Sequence, residues 1–197
     1  MKIAFINGSP KKRKSASEKI INELIKRLPE AQECVLCNPE TQEAEEIISA
    51  IAGSGALVFV FPLYVDALPA RLVKFLDESD KLKIAGRIPG AGVYAVVNSG
   101  FYEARQNTTA LSIMKNFCAH TGLDFLRGAA VGRWPLKGLA RALDTLADNI
   151  KNRESGEDLF VAPGFPRFLY NLQGNQMWKK AAKKRGLTTK DLYSSAK

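Results

Sequence analysis

The chain has 197 residues, 46% hydrophobic and 25% charged, a balance that suits one globular α/β domain with a sizeable core. Three cysteines and a single histidine exclude a disulfide framework and argue against zinc sites or hydrolase schemes built on several histidines. The net charge is +9, and +7 of it falls between Pro163 and Lys197, where eight basic residues stand against Asp191, so the first 162 residues are nearly balanced and the basicity belongs to the tail.

The first predicted element is a buried strand over about Lys2–Asn7, which stops at Gly8-Ser9-Pro10. A helix is expected over about Ser17–Leu28, with Ile20, Ile21, Leu24 and Ile25 on its apolar side and Pro29 closing it. A short strand near Glu33–Leu36 follows, then a helix over Thr41–Ala52 whose early glutamates suit its dipole. Ala56–Phe61 is apolar at every position and reads as a central strand. Helices are expected over Pro69–Asp77, Ala104–Thr121 and Lys137–Asn152, and strands over Gly92–Asn98 and Asp124–Val131. Five strands alternating with five helices predict a doubly wound parallel sheet with helices on both faces. The tail breaks this rhythm. Glu154–Asp158 reads as a polar linker and Phe160–Tyr170 is dense in aromatics and prolines. A basic helix is expected over Asn175–Arg185, with Thr188 or Thr189 capping a last short one. The expected division is a core of residues 1–153 and an extension of 154–197.

In a doubly wound sheet, ligands bind beyond the carboxyl ends of the strands, where the strand order switches. The loops after the first, third and fourth strands should therefore converge. The first carries Ser9, Ser15 and Ser17 with Lys11, Lys12, Arg13 and Lys14 ahead of a helix N-terminus, a setting that favours a phosphate. The second, Pro62-Leu63-Tyr64-Val65-Asp66, offers an apolar shelf for a flat conjugated ring. The third, Asn98-Ser99-Gly100-Phe101-Tyr102, combines a close-approach glycine with two aromatics.

With these residues in view the chain resembles the flavodoxin-like, NAD(P)H-dependent FMN reductases and the related multimeric quinone reductases. The resemblance rests on Phe5-Ile6-Asn7-Gly8-Ser9-Pro10 with Ser17, and on Ala56–Tyr64 running into Leu68-Pro69-Ala70 and Leu72–Asp77. It covers about residues 1–150. It implies a flavodoxin-like three-layer sandwich with a five-stranded parallel sheet in the order 2-1-3-4-5, plus a C-terminal helical extension. It implies FMN as cofactor and NAD(P)H as co-substrate. Ser9, Lys11, Ser15 and Ser17 would hold the phosphate, Pro62, Leu63, Tyr64 and Val65 would line the ring, and Asn98, Ser99, Gly100 and Tyr102 would close the other side. Electrons would pass from NAD(P)H to a quinone, a flavin or a similar small conjugated acceptor, with no catalytic side chain and no metal required. Family members are usually dimers or tetramers. The four consecutive basic residues of the first loop, and a loop about one residue longer than the family form, leave open which serine meets the phosphate.

Other features carry less. Cys34 and Cys37 have C-x-x-C spacing but lack the four thiolates of an iron–sulfur cluster. Gly90-Ala91-Gly92 precedes a strand instead of opening a helix, which is the wrong setting for a dinucleotide fingerprint. His120 is expected to cap or pack. Asp66 and Glu103 fall near the ring site without evidence of an acid–base role. The basic tail suggests a clasp onto a partner subunit. A nucleic-acid partner is not expected, and peripheral contact with an anionic membrane is the less favoured alternative. No apolar run reaches the roughly 20 residues of a membrane span and no signal-peptide pattern precedes the first strand, so a cytoplasmic location is the default expectation. Two other functions fit the same fold, a flavodoxin-type electron carrier serving a protein partner and a flavin-binding regulator acting through its tail. Flavodoxins are usually strongly acidic, which this chain is not.

Overall fold

Residues that alternate between two faces along each strand divide the protein into two cores with one sheet between them. The computed structural model describes residues 1–11, 14–29, 33–133, 138–188 and 191–192. Lys12, Arg13, Lys137, Thr189, Lys190 and Lys197 lie outside them. Strands β1 (Lys2–Asn7), β2 (Glu33–Cys37), β3 (Ala56–Pro62), β4 (Gly92–Asn98), β5 (Asp124–Val131) and β6 (Leu159–Val161) pair in parallel in the order β2-β1-β3-β4-β5-β6. The predicted 2-1-3-4-5 order is present, and a sixth strand from the tail extends it.

On one face Ile6, Leu57, Phe59, Phe61, Val93 and Val97 pack against α2 (Ala44–Ile51), α3 (Ala70–Lys81), the short α4 (Ile84–Arg87) and α5 (Thr108–Thr121). On the other, Ile3, Phe5, Val58, Val60 and Val96 pack against α1 (Ala16–Ile25) and α6 (Leu139–Asn152). Every residue of β4 except Asn98 is buried, as is every residue of β3 except Pro62. Each large side chain so buried contributes on the order of 2 kcal/mol.

Several boundaries differ from the sequence expectation for local reasons. Helix α1 begins at Ala16 because Ser15, not Ser17, caps it. The Ser15 hydroxyl accepts from the Glu18 N–H at 3.0 Å and the Glu18 carboxylate accepts from the Ser15 N–H at 3.3 Å, a reciprocal capping box. Helix α3 continues past Asp77 to Lys81, supported by Lys74–Glu78 and Lys81–Asp77 pairs one turn apart. The helix expected over Ala104–Thr121 is split. A 3-10 turn (Ala104–Asn107) precedes α5, and the fully buried Asn107 donates its side-chain amide to the Val131 carbonyl at 3.2 Å. The α4 turn was not foreseen.

The segment expected to be a linker is a strap. Asp158 accepts from the Gly128 N–H at 3.0 Å and from Lys115 Nζ at 2.6 Å. Arg127 donates to the Glu157 carbonyl and to the Asn149 side chain, while the buried Tyr94 hydroxyl donates to the Asn149 carbonyl at 2.7 Å. These bonds deliver Leu159–Val161 to β5. Helix α7 (Arg167–Lys184) then starts directly after Pro166, well before the expected Asn175. Beyond it, the Thr188 N–H and hydroxyl both donate to Asp191 Oδ2 at 2.6 Å, while Thr189, the other expected cap, lies outside the described residues.

Candidate functional site

The chain passes from β1 outward to β2, then crosses back to β3. The switch in strand order therefore lies at β1 and β3, and their C-terminal loops border one crevice. Gly8 makes the first loop possible. Its N–H donates to the Val60 carbonyl at 3.0 Å, and a Cβ there would lie 2.7 Å from Leu72 and 2.9 Å from Phe61. After it the chain turns sharply. The Asn7 side chain accepts from the Ser9 N–H at 3.1 Å, and the Ser9 hydroxyl accepts from the Lys11 N–H at 3.3 Å. Ser9 and Ser15 are buried while Lys11 is exposed. Both hydroxyls act as acceptors in these bonds, so their protons remain available to an anion.

The second loop is a two-residue hairpin. The Tyr64 N–H donates to the Ala67 carbonyl at 3.0 Å and the Ala67 N–H to the Tyr64 carbonyl at 2.9 Å. Val65 (φ 46°) and Asp66 (φ 56°) occupy its tip in the left-handed region, the signature of a type I′ turn. A β-branched residue is strained there. Val65 is 96% exposed and Tyr64 49%, so neither side chain is spent on the core. Among the described residues the Val65 and Asp66 N–H groups have no backbone acceptor.

One residue joins all three loops. Asn98 ends β4 opposite Pro62. Its carbonyl accepts from the Leu63 N–H at 2.8 Å, and its side-chain oxygen accepts from the Ser17 hydroxyl at 2.9 Å. Ser17 is thus a tie between the first and third loops, across 81 positions of sequence. The next residue, Ser99, donates its N–H to Val131 at 2.9 Å. Its hydroxyl is buried and has no partner among the described residues. A Cβ added at Gly100 would meet open space. The unsatisfied Ser99 hydroxyl, the open approach at Gly100 and the outward N–H groups of the hairpin match the polar edge of a conjugated ring, so the residues present fit a flavin.

Tyr102 is turned the other way. Its hydroxyl donates to the Phe165 carbonyl at 2.7 Å, and its ring packs on Phe165 and Tyr170 with centroids 6.0 and 5.7 Å apart. Tyr170 in turn donates to the Gly100 carbonyl at 3.3 Å and lies under the Arg133 guanidinium at 5.3 Å. Glu103 pairs with Arg167 at 3.1 Å. The tail therefore forms one wall of the third loop, a role no single residue of the sequence announced. Its trace was the aromatic density of Phe160–Tyr170. Phe101, 44% exposed, remains at the mouth.

The remaining candidates resolve simply. Cys34 belongs to one core and Cys37 to the other, so their thiols lie on opposite faces of β2 and cannot meet. Burial raises both thiol pKa values above the ordinary range. His120 is exposed at the end of α5, 3.1 Å from Asp80.

The sequence pattern of the NADPH-dependent FMN reductase family matches residues 1–121. No curated protein matches the chain. Among solved structures it overlays rubredoxin oxygen:oxidoreductase from Desulfovibrio gigas with a TM-score of 0.64 at 16% identity. That overlay covers 77% of this chain and 35% of the other, so this chain spans about a third of that protein's length. It is similar to an NADH:FMN oxidoreductase in its apo form, with a TM-score of 0.61 at 15% identity over 79% of this chain and 91% of that one. It is also similar to an NADPH-quinone reductase from P. pentosaceus, with a TM-score of 0.58 at 17% identity over 76% of this chain and 96% of that one. Identities at this level show a shared flavodoxin-like fold. The family match runs from β1 to the end of α5 and takes in all three loops of the crevice; the chain belongs to the NADPH-dependent FMN reductase family, and is an oxidoreductase with FMN as its cofactor and NAD(P)H as its co-substrate.

Proposed function

We propose that this enzyme takes hydride from NAD(P)H and passes electrons to a quinone, a free flavin or a similar small conjugated acceptor at the crevice formed by the three loops. FMN, when bound, supplies the redox chemistry. The chain supplies position and charge. Ser9, Lys11, Ser15 and the N-terminus of α1 bind the phosphate, and Ser17 fixes that loop to Asn98. Pro62, Leu63, Tyr64 and Val65 line one side of the ring, and Ser99 and Gly100 meet the other. The N–H groups at Val65 and Asp66 face the ring's polar edge and stabilise negative charge there. Asn98 is the observation that carries this reading, because its two oxygens draw the phosphate loop and the ring loops to one place.

An exposed apolar rim of Tyr64, Val65 and Phe101 suits flat substrates that come and go by stacking. Phe168, Leu172 and Trp178, each more than half exposed on one side of α7, support association of α7 with a second copy of the chain. The test is an absorption spectrum of the purified protein, with the flavin released by heat and identified, followed by NAD(P)H oxidation with a quinone. FMN in the supernatant and quinone-dependent oxidation support the proposal. A protein that stays colourless with added FMN overturns it, and one that binds FMN but needs a protein partner for turnover is an electron carrier instead. Light scattering on the same sample reads the oligomer.

A further inference from the structure

The family pattern ends at residue 121, yet a second cleft, lined by cations, amides, Met177 and Ala181, lies beyond it, against the crevice. It has a volume of about 520 Å³ and is lined by Arg133 on one side and a stripe of α7 on the other, with Gln173, Gln176, Lys180 and Lys184 among its residues. We infer that this cleft takes the phosphorylated adenosine end of NADPH, with Lys180 and Lys184 holding the 2′-phosphate and Arg133, nearer the crevice, facing the pyrophosphate. The inference rests on the reading of the crevice as the flavin site and names the part of the substrate that the crevice itself does not reach.

Three observations carry it. The first is charge. Three cations line the cleft and no carboxylate does among the described residues, and none of the three forms an ion pair among them. Phosphate groups are the ligands such cations select, with arginine as a fork at the crevice end and the lysines as mobile charges further along. The second is continuity with the crevice. The Arg133 N–H donates to the Phe101 carbonyl at 2.8 Å, and its guanidinium lies over Tyr170, whose hydroxyl reaches Gly100. The cleft thus begins where the third loop ends. The third is length. Gln173 to Lys184 spans about 16 Å of helix, the reach of an extended dinucleotide whose nicotinamide lies in the crevice. The glutamines offer amides to an adenine edge. Of the exposed apolar residues of α7, Met177 belongs to the cleft lining, whereas Phe168, Leu172 and Trp178 lie outside it.

The test is calorimetric titration of the full-length, FMN-loaded protein with 2′,5′-ADP and with 5′-AMP. We expect 2′,5′-ADP to bind at least about tenfold more tightly. K180Q/K184Q should erase that preference and raise the KM for NADPH about tenfold with little change in kcat. K179Q/K183Q removes the same charge from residues outside the cleft lining and should leave 2′,5′-ADP binding within about twofold. Equal binding of the two nucleotides overturns the inference. So does a loss in K179Q/K183Q as large as in the cleft pair, or a preference for a short RNA over 2′,5′-ADP. The probe does not require the flavin. A protein that binds 2′,5′-ADP but not FMN therefore refutes the crevice reading alone, and one that turns over NADPH without binding 2′,5′-ADP refutes the cleft alone.

Discussion

Ser99 and Val65 are each costly where they stand. A buried hydroxyl without a partner forfeits about 1–3 kcal/mol, and a valine at positive φ carries strain of similar size. Ser99→Ala should therefore leave the flavin-free protein at least as stable as the parent while weakening FMN about tenfold, read by thermal melting and by flavin fluorescence titration. Val65→Gly should raise the melting temperature by about 2–4 °C, the shift that roughly 1 kcal/mol gives in a chain of this size, and lower turnover through loss of the apolar rim. A parent-like melting temperature in Val65→Gly would refute the strain. At this scale the sequence located the three loops after β1, β3 and β4 and was silent about how they connect. The Ser9 turn, the Ser15 cap and the Tyr64 hairpin are each closed by bonds within two or three residues, although the sequence reading opened the helix at Ser17 and foresaw no hairpin. The Ser17–Asn98 bond joins positions 81 apart, and no local pattern encodes it. Tyr102 shows the same limit, because its partner lies in the tail, 63 residues on.

Among the elements, β1, β3 and β4 were legible because apolar runs bounded by turn residues admit few other readings, and β5, which Arg127 and Gly128 interrupt, was legible from its place after a helix that stops at Gly122. The sixth strand was not. Three residues carry no usable period, and Leu159–Val161 joins the sheet because the strap before it is bonded down. Asp158 is the main fastening. Asp158→Ala should leave the Gly128 N–H buried without an acceptor, cost about 1–3 kcal/mol, and accelerate hydrogen exchange at β6 and the start of α7 more than at β1 or β3. Uniform exchange across the sheet would show that the strap is not what holds this strand. Helix α7 escaped its expected start for a related reason. Its first two turns, Arg167–Gly174, mix aromatic, polar and glycine residues without amphipathic order, and the helix is set there by Pro166 and by the packing of Tyr170 on Tyr102.

For the molecule as a whole, two buried acids set how stability responds to alkali. Burial pushes the Cys118 thiol up from 9.0 to about 12, and the Tyr94 hydroxyl up from 10.0 to about 12. Both are held neutral in the folded state and ionise first in the unfolded chain. Their contribution is whole below about pH 9 and is lost as pH rises toward 12. The protein should be about 2–3 kcal/mol less stable at about pH 10.5 than at about pH 8, and Cys118→Ala should flatten most of that slope in denaturant titrations, since the thiol begins to titrate earlier. A wild-type slope that Cys118→Ala leaves unchanged would place the effect elsewhere.

The short strand β6 has a consequence for any attempt to remove the tail. It covers the backbone of β5 at Ala129–Val131, and the Val161 carbonyl takes the Gly132 N–H at 2.9 Å. Pro163 and Pro166 follow close behind, so the sheet ends in a stub that no neighbouring molecule can extend. A chain cut after Asp158 bares the edge of β5 and should aggregate edge to edge as its concentration rises. A chain cut after Pro166 keeps the stub and should stay dispersed, which makes the eight residues between the two cuts the molecule's own guard against fibres.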